Sequence, residues 1–307
     1  MQLTDLLQPF FYVTDPSKRI FWFHALSSGF LILIFLKLRG LDLSLKSLNK
    51  IFMNKRYWFN ESTKLDYFLL FLNSFLKIGL YVPLIGGQIV VAILVAKFIH
   101  LNFIEAPGIV IDPWLITLLF TSSAFIFDDF TRYCIHTLMH RWSFLWKFHK
   151  LHHSATTLTP FTVFRTHPVE AFINYCRVTV SLGLISGVFI WGFGRHLQVW
   201  DILGVNALGF IFTLFGSNLR HSHIPVTFGL LERWFISPAQ HQLHHSVNHK
   251  HCNLGSYLSI WDRLGGTHVH GVHATKLKFG LVESVTAVTK AQANFDRSPI
   301  VSIRGAS

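Results

Sequence analysis

The sequence predicts an all-α, integral-membrane helical bundle of about four spans, capped on its cytoplasmic side by a histidine-rich helical layer. Three observations lead there. Of 307 residues, 51% are hydrophobic and only 14% charged, with a mean hydropathy of +0.41, whereas a soluble chain carries about 25% charge. The apolar residues fall in long runs separated by basic linkers, the pattern of segments whose solvent is lipid. Nineteen histidines are present, concentrated at helical spacing in two stretches. This composition excludes disorder. The net charge of +12 lies mostly between the apolar runs, which suits a face against anionic headgroups and argues against a nucleic-acid partner, which draws on denser charge. Cys134, Cys176 and Cys252 are scattered without a CxxC pair, so there is no disulfide framework.

Taken in order, residues 1–19 hold Asp5, Asp15 and Pro16 ahead of Lys18-Arg19 and do not read as a cleaved signal peptide. Residues 20–36 form the first apolar run. The linker 37–66 sets Lys37, Arg39, Lys46, Lys50, Lys55, Arg56 and Lys64 against three acids, which places it in the cytoplasm by the positive-inside rule. Residues 67–96 are apolar but interrupted by Lys77, Pro83 and Gly86-Gly87, either one kinked span or a tight re-entrant pair. Asp112-Pro113 is a helix start. Its apolar part, 114–127, is too short to span alone, so the helix either passes Asp128-Asp129 into water or enters the bilayer partly. Residues 178–193 and 197–215 read as a helical pair joined at Gly194-Arg195-His196. That pairing puts 128–177 and 216–273 on one side of the membrane, and Arg132, Arg141, Lys147, Lys150, Arg165 and Arg177 make that side cytoplasmic. Three parts follow: an N-terminal membrane segment with its basic loop (1–109), a histidine-rich domain (110–273) and a loosely ordered tail (274–307).

The histidines carry the chemistry. His136-Thr-Leu-Met-His140 sets two imidazoles at i and i+4, on one helix face. His149-Lys-Leu-His152-His153 and His241-Gln-Leu-His244-His245 each add an i, i+3, i+4 triple. Residues 136–153 hold five histidines in eighteen, and 241–251 five in eleven. An isolated histidine on an apolar face is ordinarily a satisfied core residue, the reading given to His24, His100 and His196. Two triples and a pair on one side of a membrane point instead to metal. Eight imidazoles exceed one tetrahedral zinc and suit two metals with open positions. No HExxH is present to supply a hydrolase base, and a bis-His haem needs single ligands from two spans. Two redox metals beside lipid suggest oxygen chemistry on an acyl or polycyclic substrate.

HTLMH, HKLHHS and HQLHHS, in that order around an apolar hairpin, resemble the three boxes of the fatty acid hydroxylase / sterol desaturase superfamily. The resemblance extends over about residues 110–270. It takes in Asp128-Asp129 and Tyr133, Leu145-Trp146-Lys147-Phe148, Arg165-Thr-His167-Pro168-Val-Glu170, Leu231-Glu232-Arg233, Ser237-Pro238, Asn253-Leu-Gly255 and Trp261-Asp262-Arg263-Leu-Gly-Gly-Thr267. It implies a membrane-bound, non-haem enzyme with two Fe (a di-iron centre) held by histidine, which uses O2 and delivered electrons to hydroxylate or desaturate a lipid. Carried over residue by residue, it implies the ligands His136, His140, His149, His152, His153, His241, His244 and His245. A further family histidine falls at Arg220-His221-Ser-His223. Residues i and i+2 point about 200° apart on a helix, so His221 is preferred, and His223 joins only from an irregular turn. His167 and His249 are additional candidates; His251, His268, His270 and His273 read as exposed or supporting.

Asp128, Asp129, Glu170 and Asp262 are the acids placed to take a ligand's spare ring N–H, or else to cap helices and pair on the surface. Trp142, Phe144, Trp146 and Phe148 wall a lipid tunnel or sit at the membrane interface. Arg165 meets a substrate headgroup or snorkels. No cytochrome b5-like or flavin domain is visible, so a separate donor (cytochrome b5-like, ferredoxin or reductase) supplies electrons, with Lys147 and Lys150 as its dock. A metal-dependent lipid hydrolase or isomerase on the same scaffold is the alternative, and would work without oxygen. A metal carrier would need polar ligands along its spans, and 67–96 and 178–215 offer almost none.

Overall fold

The computed structural model describes residues 7–103, 111–194, 201–202, 205–274 and 277–281. Its regular structure is helical apart from a two-residue antiparallel ladder, Asp201–Ile202 with Val205–Asn206. Three helical stretches, 61–102, 113–141 and 168–193, are long and apolar enough to cross a membrane. Helix α1 (Trp22–Leu38) is a shorter apolar rod. It packs with α2 (Leu45–Phe52) on the segment 219–224 through Ile32, Leu36, Ile51, Leu219 and Ile224.

The 61–102 stretch settles the kink question. Helix α3 (Glu61–Leu76) runs into a π turn at Lys77–Tyr81, a short helix Val82–Ile85, a break at Gly86 (φ 73°), and then α4 (Gln88–Asn102). Pro83 accounts for the π turn, because its ring cannot sit against the carbonyl four residues back in a regular helix. Asn73 donates to the Thr166 carbonyl and Tyr81 to that of Pro168, both at 2.8 Å. Tyr175 donates to the Gly86 carbonyl at 2.6 Å. Further along, Gly183 and Gly187 receive Val91 and Val95 so closely that an added Cβ would lie 2.5 Å from each valine Cβ. As the first strand of contacts advances from 73 to 95, the second advances from 166 to 187. The segment is therefore one kinked rod parallel to its neighbour, not a re-entrant pair. The Gly183/Gly187 spacing is the small-xxx-small pattern that lets apolar helices approach in lipid.

Helix α5 (Pro113–Arg141) begins at the expected Asp112-Pro113 and runs unbroken past Asp128-Asp129. It lies antiparallel to α7 (Pro168–Phe193), after the intervening α6 (Ser143–His153). Phe120 meets Phe189 at 5.1 Å between ring centroids, and Asp128 meets Arg177 at 2.7 Å. Helix α7 starts ten residues earlier than its apolar run suggested. The return leg is shorter than expected. Residues 195–200, with Arg195 and His196, lie outside the described residues. Asn206 then donates to the Thr121 carbonyl at 3.1 Å, and α8 (Ala207–Leu214) descends for only eight residues. Both connections still bring 216–273 to the end of the bundle that holds 128–177.

Two smaller expectations change. His24 is buried, but His100 is exposed rather than in a core. The start of the tail is anchored: Val247 N–H donates to the Lys278 carbonyl at 3.0 Å, and the buried Phe279 bridges to Ser246. Residues 282–307 lie outside the described residues.

Candidate metal centre

The first box ends α5. Trp142, extended at ψ 115°, breaks the helix, and α6 doubles back with the second box. The third box rides on α9 (Pro238–His244), a seven-residue helix with every residue buried. Its start is fixed locally. Ser237 Oγ accepts from Gln240 N–H at 3.2 Å, Gln240 Oε1 accepts from Ser237 N–H at 3.0 Å, and Pro238 fills the first position. This reciprocal cap satisfies donors that a short helix would otherwise leave open.

Nine histidines converge in two adjoining clusters. His136, His140, His149, His153 and His244 form one; His152, His221, His241 and His245 form the other. Within each, one ring nitrogen per residue lies within 4.8 Å of all the others. The clusters touch where the His153 and His245 rings stack at 4.6 Å. Second and third boxes thus each serve both clusters, a division that spacing alone did not reveal.

The hydrogen-bond partners fix which nitrogen faces inward. His136 Nδ1–H donates to the Leu254 carbonyl at 2.7 Å, and His244 Nδ1–H to that of Cys252 at 2.9 Å. His152 Nδ1–H donates to the Arg165 carbonyl at 3.2 Å, and His149 Nδ1–H to Glu170 Oε1 at 2.8 Å. These partners only accept, so each ring carries its proton on Nδ1 and its lone pair on Nε2. Yet His136 Nε2 and His149 Nε2 face one another at 3.2 Å. The Nε2 atoms of His140, His153 and His244 are buried without any partner. In the second cluster, the Nε2 atoms of His221, His241 and His245 form a triangle with sides of 3.0–3.1 Å. The His136 and His149 lone pairs thus meet in a dry site, an arrangement that a cation between them would relieve. Burial also holds the imidazoles neutral: His149 and His152 are pushed down to about 3, and His153, His221, His241, His244 and His245 well below the usual histidine range, neighbouring histidines adding to the effect at all but His149. Neutral, inward-facing imidazoles are what a divalent transition metal requires.

His223 lies outside both clusters. The segment Ser217–His221 is a 3-10 turn and Ser222 is extended, which swings the following ring away, against Tyr57 at 4.6 Å between centroids. His221 is the member that enters, as the i, i+2 argument preferred. His167 caps α7, its Nδ1 accepting from Val169 N–H at 3.1 Å. His249 pairs with Ser246 at 3.0 Å, and His251 approaches only the His140 ring, at 6.0 Å. His268 and His270 flank Glu232, the former donating to its carbonyl at 2.9 Å.

Of the four acids singled out, Glu170 alone bonds a clustered histidine. Asp128 pairs with Arg132 and Arg177, each at 2.7 Å. Asp129 accepts from Tyr257 N–H, Leu258 N–H and Trp261 Nε1–H at 2.8–3.0 Å. Asp262 accepts from Leu254 N–H (2.6 Å), Gly255 N–H (2.8 Å) and the Thr267 hydroxyl (2.6 Å). It acts one step back, holding the loop whose Leu254 carbonyl receives His136. The same loop explains Asn253-Leu-Gly255. Asn253 adopts φ 51°, which asparagine tolerates, and a Cβ on Gly255 would lie 2.7 Å from Asp262.

Arg165 neither faces a headgroup nor snorkels. Only 4% exposed, it donates to Asp66 (3.0 Å), to the Ser62 and Leu151 carbonyls (2.8 and 3.0 Å) and to Ser154 (2.9 Å), tying α6 to α3. Asp66, its partner, went unremarked in sequence, although an acid at the mouth of an apolar run was the available signal. Trp146 does border the site, 5.3 Å from His140 and 5.5 Å from His153. Trp142 and Phe144 are half exposed, and Phe148 packs on His167.

Residues 121–267 match the fatty acid hydroxylase family. The chain is 27% identical over 172 residues to an ornithine lipid hydroxylase of Rhizobium tropici, covering 54% of this chain and 47% of that protein. It is 31% identical over 143 residues to a Delta(7)-sterol 5(6)-desaturase of Gibberella zeae (47% and 39%), and 24% identical over 176 residues to human alkylglycerol monooxygenase (56% and 35%). The chain spans less than half the length of these curated relatives. No solved structure matches it. All three histidine boxes, His136–His140, His149–His153 and His241–His245, lie inside the segment that is similar to the fatty acid hydroxylase family, residues 121–267.

Proposed function

We propose that this chain is a membrane-bound di-iron oxygenase that hydroxylates or desaturates a lipid, with its histidine boxes at the cytoplasmic face and electrons delivered by a separate protein. The observation that carries this reading is the convergence of nine imidazoles in two adjoining clusters, with ring nitrogens of five of them approaching to 3.0–3.2 Å. His136, His140, His149, His153 and His244 would hold one iron, and His152, His221, His241 and His245 the other. When bound, the pair supplies reduction of O2 and oxidation of an unactivated C–H bond. The relatives named as hydroxylase, desaturase and monooxygenase favour iron over zinc, since imidazole alone suits either.

The chain's own contribution is orientation and exclusion of water. Glu170 and the carbonyls of Arg165, Cys252 and Leu254 hold the ring tautomers; such outer partners are commonly worth 10–100-fold in metal affinity. An apolar cavity of about 280 Å³ lies beside the segment carrying His221, between Ile32, Phe52, Trp58, Phe161, Leu219 and Ile224. We seat the lipid's apolar body there. The basic residues on the box-bearing side, with the exposed Lys147 and Lys150 of α6, support both the cytoplasmic orientation and the docking of an acidic electron carrier.

Metal analysis of the detergent-purified chain tests the centre: two irons are expected, with loss in His152→Ala. Lipid profiling of cells with and without the gene tests the product, expected as one new oxygenated or unsaturated lipid. Activity that persists without O2 and with zinc would replace this reading with a hydrolase or isomerase. Unchanged electron transfer after charge reversal at Lys147 and Lys150 would remove the dock.

A further inference from the structure

Below the histidine clusters, toward the membrane, four guanidiniums gather around Tyr257. Arg132 and Arg177 share Asp128, each at 2.7 Å. Arg19 and Tyr257 line one cavity, and Arg220, 1% exposed, lies 5.7 Å from the centre of the Tyr257 ring. Among the described residues neither Arg19 nor Arg220 has a carboxylate within 4.0 Å. The second acid nearby, Asp129, spends its oxygens on Tyr257 N–H, Leu258 N–H and Trp261 Nε1–H. Lys18 has its own partner, Asp15, at 3.8 Å. Four guanidiniums therefore face two carboxylates. The Nε–H groups of Arg132, Arg177 and Arg220 are all buried with no acceptor.

Buried charge without a counter-charge is costly, and proteins tolerate it where a ligand completes the pair. Space for one is present: a cavity of about 280 Å³ lined by Lys18, Arg19, Asp128, Arg132 and Tyr257 opens between α5, α7 and α8. Its depth is telling. The apolar parts of α5 and α7 beyond this layer, 113–127 and 178–193, measure about 22–24 Å at 1.5 Å per residue. That is most of a hydrocarbon core of roughly 30 Å, so the guanidinium layer sits at headgroup level.

We propose that this cavity binds the anionic phosphate-type group of an amphiphile, with Arg19 and Arg132 as its direct partners and Arg220 supporting the field from behind Tyr257. None of the nine clustered histidines lines this cavity, so its occupation does not require metal.

The test uses the full chain in nanodiscs of equal phosphatidylglycerol and phosphatidylcholine, with co-purifying lipid quantified. Wild type is expected to retain phosphatidylglycerol in preference. Arg19→Gln should lower that preference about fivefold, the scale of one basic residue against an anionic headgroup, and Arg19→Lys should keep most of it. Arg56→Gln, exposed on the basic loop, should change nothing. Inorganic phosphate added to detergent-purified chain separates the sources. Stabilisation by phosphate that Arg19→Gln abolishes, without lipid preference, supports the site with a free anion as its ligand. Equal retention of the two lipids together with no effect of phosphate on wild type overturns the proposal, and so does an Arg19→Gln protein that folds and keeps full selectivity. The wild-type comparison stands even if the variant does not fold.

Discussion

Glu170 is the side chain whose loss separates a metal centre from a packed cluster of histidines. Its Oε1 accepts from His149 Nδ1–H at 2.8 Å, with His149 3% and Glu170 5% exposed. No water can replace the bond in so dry a place. Glu170→Gln keeps an acceptor oxygen and loses the charge; Glu170→Ala loses both and leaves a buried N–H unpaired. Outer-shell partners of this kind contribute about 10–100-fold to metal affinity, or roughly 1.4–2.8 kcal/mol. We expect Gln near the lower figure and Ala near the upper. The assay is competition for ferrous iron between the detergent-purified chain and a coloured chelator, with thermal melting as the check on folding. Asp128→Asn is the control, because Asp128 bonds Arg132 and Arg177 and touches no clustered histidine. A folded Glu170→Ala protein with wild-type iron affinity would refute the reasoning, as would an equal loss in Asp128→Asn.

Other outcomes follow from the same geometry. His221→Ala should remove iron from the second cluster, whereas His223→Ala, whose ring lies against Tyr57, should leave iron per chain unchanged by elemental analysis. Arg165→Gln strands Asp66 in a site where it is 0% exposed and should cost about 3–5 kcal/mol by denaturant unfolding in detergent; adding Asp66→Asn should recover part of it. Gly187→Val meets Val95 and the Ala92 carbonyl, 2.5 and 2.7 Å from the new Cβ, and should cost about 1–3 kcal/mol by overpacking, read as a lowered melting temperature with iron stoichiometry preserved.

What could be read from the sequence was whatever depends on local period. The i, i+4 spacing of His136 and His140, the triples of the other two boxes and the helix start at Asp112-Pro113 all emerge from local spacing, and the length of the apolar run left continuation past Asp129 as one of two readings, the one the helix Pro113–Arg141 follows. What resisted depends on partners distant in sequence. The 67–96 run carries equal signals for a kink and a reversal, and the difference lies in contacts with residues 166–187. Helix α7 begins at Pro168 because Glu170 and Arg177 are bonded internally, so polarity there marked a buried layer rather than the helix end. Arg165 sat among family-like residues, but nothing nearby in sequence names Asp66, 99 positions away, as its partner. The carbonyls of Cys252 and Leu254 could not be found at all from side-chain identities, since any residue supplies a carbonyl and only the fold aims it.

The division of histidines between clusters has a geometric origin that also explains the HxxHH pattern. At about 100° per residue, i and i+4 lie roughly 40° apart on a helix, while i+3 lies about 60° to the other side of i. Each box obeys that arithmetic. His136 and His140, and His149 and His153, are i, i+4 pairs and enter the first cluster; His241 and His245 are an i, i+4 pair and enter the second. The i+3 residues cross over: His152 goes to the second cluster and His244 to the first. Helices α6 and α9 therefore meet face to face, each giving a pair to its own side and one ring to its partner's. A slide of either helix moves ligands of both clusters at once, so the two sites share one mechanical unit. This gives the surrounding bracing a purpose. Arg165 pins the end of α6 to α3, Ser237 and Gln240 fix the start of α9, and Asp262 sets the loop behind His136. Arg165 and the Ser237–Gln240 cap hold the two short helices, which carry six of the nine clustered histidines, and Asp262 steadies the loop that receives His136.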